Sequence, residues 1–476
     1  MALLFTTTST SISAENKRPK IVIVGAGLAG LTTAYRLQQK GMDVHLYEVR
    51  NRVGGRIFTV KIGGSIAELG GLNIRDGGEA KNIQRLIEEF GLESTEYKRK
   101  INISYFTGTE FLSIQQLLGG RQFQPEDLWL RLSDVAKKSK NMRDVLGGIF
   151  EKDDPLYKLL AVRLAGYEGA SIEKLSPIYA ETLYHMILGG ICAAHSADGD
   201  TENYIKFLCL KEGNASLPER LAQVLGDRVH LNMPLKKVAK HIDNSYDLTF
   251  QNGLKVAADI LVLAIPCSVY EGITFEENVL PQTTLDQIKS IQYGTNAKIL
   301  VPFSMQPLDK PEVGFVNDRI SCFRDMNTNI STLYYTGIAS QFTAETISDT
   351  YVQDRAMLEM GYGDMWPPYV APTYAKDQAY DIYAGPVGYS WPNDPYVKGS
   401  YSYIAPGQEA IMTTMKEELG ESVKTMFAPI DQTLYFAGEH TSILMQAPGT
   451  MEAACESGER AARMILNFFG NFQSWE

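Results

Sequence analysis

The sequence predicts an α/β fold in which a discontinuous domain with a parallel sheet carries an inserted α+β domain. Residues 21–48 read as a buried strand, a glycine turn, a helix and a second strand, which is the order of a βαβ unit. Three further strands of the same apolar character begin near residues 230, 258 and 433. Because the segments between them lack that character, we expect one domain to be assembled from separate stretches of the chain.

Composition and charge limit the classes of function. The chain has 476 residues, 44% of them hydrophobic, so it can bury sizeable cores. Its formal net charge of -11 argues against a nucleic-acid partner, which requires a basic face. No apolar run reaches the ~18 residues that span a bilayer, so we expect no membrane span. The 5 cysteines are scattered without zinc-like spacing, which predicts no metal site and a reducing, cytoplasmic setting.

The first half of the chain contains the start of both predicted domains. We interpret residues 1–18 as a mobile N-terminal lead-in, because they lack the basic start and long apolar run of a signal peptide. Residues 19–75 supply the βαβ unit and a glycine-rich crossover of the discontinuous domain. Residues 76–205 open the inserted domain with mostly helical spacing, for example a helix within 80–92 that Gly91 stops.

The second half returns to each domain in turn. Residues 206–285 rejoin the discontinuous domain with a helix that ends at Gly226 and one continuous apolar strand over 254–266, typical of a sheet covered on both faces. Residues 286–405 are rich in Tyr, Thr and Pro and complete the inserted domain as a mixed sheet with long loops. Residues 406–476 close the discontinuous domain with a strand and a strong final helix.

The glycine turn after the first strand has the spacing GxGxxG. Gly25 permits the tight turn, Gly27 lets the backbone approach a pyrophosphate, and Gly30 lets the helix pack close to the sheet. Leu28 and Ala29 begin the helix, whose free N–H groups and positive dipole end can face phosphates. The motif in this strand–helix context predicts a bound dinucleotide.

The residues after the second strand indicate which dinucleotide is bound. Glu48 lies 18 positions after Gly30, where an acid accepts hydrogen bonds from a ribose diol. The run VGGR follows at once, with Gly54, Gly55 and Arg56. An NAD domain does not need a second glycine pair there, whereas the longer FAD must pass between backbone segments. Arg56 can donate a charge-assisted hydrogen bond to the pyrophosphate, so the sequence favours FAD.

These motifs resemble the FAD-dependent amine oxidase family, which includes monoamine oxidases and polyamine oxidases. The resemblance implies a GR2-type Rossmann-like FAD-binding domain with an inserted α+β substrate-binding domain. It continues in the segment ELGGLNI, where Gly70, Gly71, Leu72 and Asn73 resemble the loop that passes under the flavin ring.

The resemblance returns in three later segments. Val238, in PLKKVAK, resembles the part of the family that touches adenine, and Gly438 and Glu439, in LYFAGEHTS, resemble the ribityl-binding turn. Thr450 and Met451 precede AACESGERAA, which resembles the helix whose N-terminus faces the isoalloxazine. The resemblance implies that the Met451 N–H donates toward the pyrimidine oxygen, where negative charge collects on reduction.

The resemblance also implies the residues nearest the reaction. Lys298, in YGTNAKILVPF, matches the family lysine that holds a water against flavin N5, and Tyr401, in GSYSYIAPG, resembles the aromatic residue on the substrate face. Trp391 would pack beside the flavin. Ser400 stands where monoamine oxidases carry a cysteine bonded to the flavin, so FAD is expected to be non-covalent. A surface lysine and a core tyrosine are the structural alternatives at positions 298 and 401.

The implied function is oxidative deamination of a primary or secondary amine. A hydride equivalent would pass from the substrate α-carbon to flavin N5, the imine would hydrolyse, and O2 would reoxidise the flavin to give H2O2. The partners are therefore a small-molecule amine and O2, and the sequence leaves a homodimer open.

The amine itself and three other functions stay open on the sequence alone. L-amino-acid oxidases of this family carry an arginine where Asn73 stands, and asparagine cannot supply a bidentate charged fork for a carboxylate. That lowers, without excluding, an L-amino-acid oxidase. A flavin desaturase or dehydrogenase of isoprenoid type and a catalytically silent flavoprotein scaffold are the remaining alternatives.

Overall fold

The computed structural model describes residues 18–76, 80–98, 102–188, 206–302, 313–325, 329–363, 366–444 and 449–470. The predicted lead-in over residues 1–18 lies outside these ranges except for Arg18.

The described α-helices are, in chain order, α1 Leu28–Gln39, α2 Lys81–Glu89, α3 Ile114–Leu118, α4 Pro125–Ala136, α5 Met142–Gly147, α6 Pro155–Glu168, α7 Ala180–His185, α8 Ser216–Leu225, α9 Gln282–Ser290, α10 Ile347–Tyr362, α11 Glu409–Thr413 and α12 Met451–Phe468. The first fourteen described strands are β1 Lys20–Val24, β2 Asp43–Tyr47, β3 Thr59–Ile62, β4 Ser65–Glu68, β5 Arg75–Asp76, β6 Ser94–Lys98, β7 Asn102–Phe106, β8 Phe111–Ser113, β9 Lys206–Leu210, β10 Val229–His230, β11 Leu235–Lys240, β12 Tyr246–Phe250, β13 Lys255–Ala258 and β14 Ile260–Leu263. The strands that follow are β15 Thr274–Phe275, β16 Gln292–Tyr293, β17 Asn296–Pro302, β18 Val313–Val316, β19 Ile320–Asp325, β20 Ile330–Thr336, β21 Thr373–Tyr374, β22 Ile382–Tyr383, β23 Val387–Ser390, β24 Ser402–Tyr403, β25 Met415–Glu418, β26 Glu421–Lys424 and β27 Leu434–Phe436.

A parallel sheet forms the centre of the first region. Its five strands lie in the order β10-β2-β1-β14-β27, and every neighbouring pair is parallel. The strands predicted near residues 20, 230, 258 and 433 therefore share one sheet, although they are far apart in the chain. Helix α1 follows β1 and packs against α8 and α12. The α/β class predicted from the sequence is confirmed.

One predicted strand is wrong. Residues 254–266 form β13 and β14, which belong to different sheets: β13 is an edge of the sheet β13-β12-β11-β15, and β14 lies beside β1. The break falls at Asp259, whose carboxylate accepts the Lys20 N–H at 2.7 Å and whose own N–H donates to the Lys20 carbonyl at 2.9 Å. This contact joins positions 239 residues apart, so the local apolar pattern does not contain it.

A second, eight-stranded mixed sheet has the order β21-β23-β17-β20-β19-β18-β7-β8, and its strands fall within residues 76–205 and 286–405, the stretches predicted for the inserted domain. On one face of β17, Ile299 and Val301 pack with α10 in an apolar cluster. Because successive side chains of a strand point to opposite faces, Lys298 lies on the other face. There it is in register with Tyr334 on β20 and Tyr389 on β23.

A small sheet brings a loop to that second face. β3 and β4 pair as an antiparallel hairpin, and β22 adds to β3 in parallel. β4 ends at Glu68, so the hairpin leads directly into residues 69–73, the segment that resembles the loop under the flavin ring.

The predicted helices around Gly91 and Gly226 and the closing helix are confirmed as α2, α8 and α12. α2 buries Ile83, Leu86 and Ile87, and both glycines follow their helices with positive φ. Within the described ranges, none of the helices combines the length and apolar character needed to cross a membrane.

Candidate active site

The glycine turn leaves one side of its backbone open. A Cβ on Gly30 would lie 2.0 Å from the Gly25 carbonyl oxygen. A larger residue at position 30 would therefore prevent the close approach of the helix, as predicted. A Cβ on Gly27 would meet no atom within 4 Å. Gly27 is also the N-cap of α1, and no side chain that the structure describes caps the helix there. The backbone at Leu28 and Ala29, where the helix begins, therefore lies beside open space. An anionic group fits there, since first-turn N–H groups favour negative charge.

The second glycine pair packs against this turn. The Gly54 N–H donates to the Ala26 carbonyl at 2.8 Å, and a Cβ on Gly55 would lie 3.3 Å from the Gly27 Cα. The VGGR run therefore lines the same opening as the GxGxxG turn. Gly55 has φ +56, a conformation that glycine adopts without strain.

Glu48 lies at the end of β2, where the sequence places a ribose acceptor. Its two carboxylate oxygens accept the N–H groups of Ala26 at 2.7 Å and Arg50 at 3.0 Å. Burial raises the pKa of Glu48, while these two N–H donors oppose that rise. Each oxygen has a further lone pair, so the carboxylate can also accept from a diol; that contact stays a prediction.

Arg56 makes an ion pair that the sequence did not indicate. Its Nη1 donates to Glu439 at 2.9 Å and to the Ser400 carbonyl at 2.6 Å. Glu439 also accepts from the Ser402 N–H at 3.0 Å and hydroxyl at 2.8 Å. Burial alone would raise the pKa of Glu439, but the Arg56 charge and these hydrogen bonds outweigh it and hold the pKa below its ordinary value. VGGR and the Gly438–Glu439 turn are thus joined directly.

The loop after Glu68 is held by backbone contacts and by Asn214. A Cβ on Gly70 would lie 2.1 Å from the Arg56 carbonyl oxygen, which excludes any other residue without a shift. The Asn214 amide donates to the carbonyls of Gly71 at 2.9 Å and Leu72 at 2.8 Å. Asn73 follows these residues and is half-buried.

Lys298 reaches this loop from β17. It is 6% exposed, which supports the buried interpretation over the surface one. Its Nζ donates to the carbonyls of Glu68 at 3.0 Å and Gly70 at 2.6 Å. Trp391 packs nearby: it is buried, and its indole N–H donates to the Leu69 carbonyl at 3.1 Å.

Tyr401 lies between the end of α6 and the start of α12. Its hydroxyl donates to the carbonyls of Gly166 at 3.0 Å and Tyr167 at 2.6 Å, at the end of α6. A Cβ on Gly449 would lie 2.8 Å from the Tyr401 ring, so the ring covers the residue before Thr450. Tyr401 therefore links the end of α6 to residue 449, and its position on the substrate face stays a prediction.

The start of α12 faces the loop after Glu68. Thr450 is the N-cap, and its hydroxyl accepts the Ala453 N–H at 3.1 Å. The Met451 side chain lies against Gly71, with its sulfur 3.3 Å from where a Cβ would be. The helix N-terminus and the loop are therefore neighbours, as their predicted positions at one flavin ring require.

Three further residues, Val238, His440 and Ser400, are buried. Val238 has no exposed surface in β11 and its carbonyl accepts the Glu276 N–H at 3.0 Å, so its contact with adenine stays a prediction. Burial lowers the pKa of His440 to about 4, and both of its buried ring nitrogens have no hydrogen-bond partner among the described residues. The Ser400 hydroxyl is buried and donates to Asn296 at 2.5 Å.

Sequence reasoning missed the residues that hold the loop. Glu68 and Asn214 are both buried, and Glu68 accepts the Asn214 N–H at 2.7 Å. Asn214 lies in a segment that resembles monoamine oxidases, but no sequence pattern links it to a loop 143 positions away. Only the folded chain brings the two together.

The residues present fit FAD. An open Gly27 and an uncapped helix start suit a pyrophosphate, Arg56 supplies a cation beside the second glycine pair, and Glu48 supplies a ribose acceptor at the carboxyl end of β2. The loop at Gly70 and the N-terminus of α12 would then contact the ring. These positions agree with a dinucleotide that binds along the carboxyl ends of the parallel strands.

The comparisons with known proteins agree on one family. Residues 28–466 match the family model described as flavin containing amine oxidoreductase. Flavin-containing amine oxidase A from Sus scrofa is 26% identical over 492 residues, covering 94% of this chain and 85% of the relative. An L-amino acid oxidase from Cerastes cerastes is 23% identical over 488 residues, covering 95% and 88%. The structure of cyclohexylamine oxidase from Brevibacterium oxydans IH-35A has a TM-score of 0.70 at 19% identity, with 95% and 100% coverage.

Alanine substitutions at Gly27 and Gly30 distinguish a glycine that contacts the cofactor from one that is needed for helix packing. We expect Gly27→Ala to leave the stability of the apoprotein within about 0.5 kcal/mol but to weaken FAD binding, because the methyl would enter the open space. Gly30→Ala should destabilise the apoprotein by about 1–3 kcal/mol through overpacking. Urea unfolding and titration with FAD measure the two effects. Unchanged FAD affinity in Gly27→Ala would remove Gly27 from the binding surface.

Proposed function

Since the chain belongs to the flavin-containing amine oxidoreductases, we propose that it is an FAD-dependent amine oxidase whose first region is a GR2-type Rossmann-like domain. The observation that carries this proposal is Lys298: a buried lysine whose ammonium is held on the carbonyls of Glu68 and Gly70. That loop is the segment expected under the flavin ring. A buried cation is costly unless it is paired or hydrogen-bonded, and its position beside this loop gives it a role in redox chemistry.

The proposed reaction is oxidative deamination of a primary or secondary amine. Bound FAD would accept a hydride equivalent from the amine α-carbon and pass two electrons to O2, giving H2O2, while the imine hydrolyses in water. The protein's part is to hold the cofactor, to exclude water and to orient the amine.

Separate groups of the protein are proposed to bind the pyrophosphate, the adenosine ribose, the ribityl chain and the ring of FAD. The first-turn N–H groups of α1 and the Arg56 guanidinium would bind the pyrophosphate, and Glu48 would bind the adenosine ribose. The Arg56–Glu439 pair, at 2.9 Å, would sit beside the ribityl chain. The N–H of Met451 at the start of α12 would stabilise negative charge on the reduced ring.

The substrate would lie between Tyr401 and the ring face. Two hydrogen bonds anchor the Tyr401 hydroxyl to the end of α6, and Gly449 lies under its ring. The tyrosine is therefore fixed before substrate arrives, which reduces the entropy lost in orienting an amine. Thr450 presents a small hydroxyl side chain where monoamine oxidases have a second aromatic wall, so the proposed cage is open on one side.

The substrate class favoured is an amine without an α-carboxylate. Asn73 cannot provide the charged fork that binds a carboxylate. A screen of monoamines, polyamines and amino acids under anaerobic conditions tests the proposal, because the substrate class must bleach the visible absorbance of bound FAD. Bleaching by none of these compounds would favour a catalytically silent scaffold.

FAD should be released when the protein unfolds. Ser400 has a hydroxyl in place of a thiol, and that hydroxyl donates to Asn296, so it cannot form a thioether. Heat or acid followed by ultrafiltration should transfer all of the yellow colour to the filtrate. Colour retained with the denatured chain would show a covalent link and overturn this assignment.

Lys298→Met should slow reoxidation of reduced FAD by O2 by about 10²-fold, the size of effect expected when one charge-stabilising donor is removed. FAD should stay bound, because Lys298 bonds to the loop and not to the glycine turn. Stopped-flow mixing of reduced enzyme with O2 gives the rate. Lys137→Met, at the exposed C-cap of α4, is the matched control, and equal rates in the two variants would remove Lys298 from the mechanism.

Tyr401→Phe and Tyr401→Ala test whether the ring or the hydroxyl matters. The phenylalanine keeps the ring over Gly449 but loses the bonds to Gly166 and Tyr167. We expect kcat/KM to fall by about tenfold in the alanine variant and by less in the phenylalanine variant, which corresponds to about 1.4 kcal/mol of lost orientation. Circular dichroism checks folding. Wild-type kinetics in Tyr401→Ala would make Tyr401 a packing residue only.

A further inference from the structure

Glu68 is a buried carboxyl beside the proposed redox centre, and the reaction described above does not use it. It is 7% exposed and ends β4, immediately before the loop that receives Lys298. The Lys298 ammonium bonds to the Glu68 main-chain carbonyl at 3.0 Å. The same residue thus contributes a backbone acceptor to the lysine and a titratable side chain that interacts with it electrostatically.

Thr59 and Asn214 hold the Glu68 side chain in place. The Thr59 hydroxyl lies 2.9 Å from both carboxyl oxygens, and the Asn214 N–H donates to one of them at 2.7 Å. Thr59 in turn accepts the Ala215 N–H at 3.0 Å. All three side chains are at least nine-tenths buried, so bulk water does not compete for these contacts.

This cluster, defined as Thr59, Glu68 and Asn214, also fixes the loop. The Asn214 amide donates to the carbonyls of Gly71 and Leu72, while its oxygen accepts the Leu210 N–H at 3.1 Å. The carbonyl of residue 70, which receives Lys298, lies between Glu68 and these two anchored positions. The cluster therefore determines where the ammonium sits.

Within the described part of the chain, two titratable side chains have an electrostatic interaction with Glu68. One is Lys298, whose positive charge favours the ionised carboxyl. The other is Tyr380, whose pKa is raised far above its ordinary value, first by burial and then by Glu219, Glu68 and Glu212. Tyr380 therefore stays neutral at physiological pH. Lys298 is the charged partner that responds to the protonation state of Glu68.

Burial raises the pKa of Glu68 to about 7, because the Asn214 and Thr59 hydrogen bonds and the Lys298 charge offset the loss of solvation only in part. The cluster accommodates either protonation state, because the Thr59 hydroxyl can donate a hydrogen bond to ionised Glu68 or accept one from neutral Glu68.

Building on the proposed function, we propose that Glu68 is a positioning residue that controls the net charge at Lys298 and thereby the rate at which reduced FAD reacts with O2. In that step two electrons and two protons pass from reduced FAD to O2, which becomes H2O2. Oxygen gains negative charge as the electrons arrive, and the Lys298 ammonium stabilises that charge. Ionised Glu68 offsets part of this effect, so reoxidation slows.

The experiment measures reoxidation without any amine. FAD bound to the holoenzyme is reduced photochemically under anaerobic conditions and mixed with O2 at pH values below and above 7. In the wild type we expect the rate to fall by about tenfold as pH rises through this range, the change produced by a shift of 1.4 kcal/mol in barrier height. Because no substrate is needed, this result is independent of whether the amine assignment is correct.

Three variants identify the group responsible. Glu68→Gln keeps the acceptor for Asn214 and a donor for Thr59 but cannot ionise, so it should keep the fast rate above pH 7. Lys298→Met should be slow and lack the pH step, because Glu68 acts through the lysine. Glu417→Gln, on the exposed hairpin of β25 and β26, should behave as the wild type. A pH step that persists in Glu68→Gln overturns the proposal.

Stability of the apoprotein gives a second readout that needs no cofactor. A carboxyl that binds its proton more tightly in the folded state makes stability fall as pH rises from its unfolded pKa, near 4.5, to its folded pKa of about 7. The unfolding midpoint of the wild type should therefore fall through this window more steeply than that of Glu68→Gln. Parallel curves would show that Glu68 does not titrate there and would overturn the proposal even if Glu68→Gln failed to bind FAD.

Discussion

The close contact of α1 with α12 is the constraint on which the site depends. A Cβ on Gly458 would lie 2.5 Å from the Ala29 carbonyl oxygen, so the helices approach this closely only because position 458 lacks a side chain. Farther along, Arg36 donates to Glu459 at 2.8 Å, and both side chains are at most 1% exposed. Removing one partner of such a buried pair costs about 3–5 kcal/mol. The two helix N-termini, proposed to face the pyrophosphate and the flavin ring, are therefore held in one rigid frame.

The reacting end depends on a second junction, where segments far apart in sequence meet. Lys298 comes from the eight-stranded sheet, the loop after Glu68 from the β3–β4 hairpin, and Asn214 from the turn before α8. None of these elements alone would hold an ammonium in a buried position. The lysine is stable there because two carbonyls accept from it, and those carbonyls are in place because Asn214 holds the adjoining residues. Loss of any one segment would leave buried polar groups without partners, which is strongly unfavourable.

The sequence predicted what neighbouring residues determine and missed what distant residues determine. The glycine turn, α2 and α12 have local signals, namely glycine spacing and apolar periodicity, and these predictions were confirmed. The strand over 254–266 was wrong because Asp259 is bonded to Lys20, and helix α10 was missed because its buried face includes Asp354 and tyrosines that an apolar pattern does not register. The Arg56–Glu439 pair spans 383 positions and could not be read from spacing. The domain boundaries and the roles of the site residues stay predictions.

Two of the buried carboxyls at the site behave differently, one with a constant charge and one whose charge can change with pH. Glu439 faces the Arg56 guanidinium, which remains protonated at any pH a protein tolerates, so its pKa is lowered and its charge is constant. The Glu68 carboxyl interacts electrostatically with Lys298, whose ammonium is bonded to two carbonyls, but burial dominates and raises the pKa of Glu68 to about 7. Environments that push the pKa values of two like groups apart assign them different tasks. Glu439 fits a permanent structural anion beside the cofactor chain, whereas Glu68 is suited to change charge where electrons are transferred.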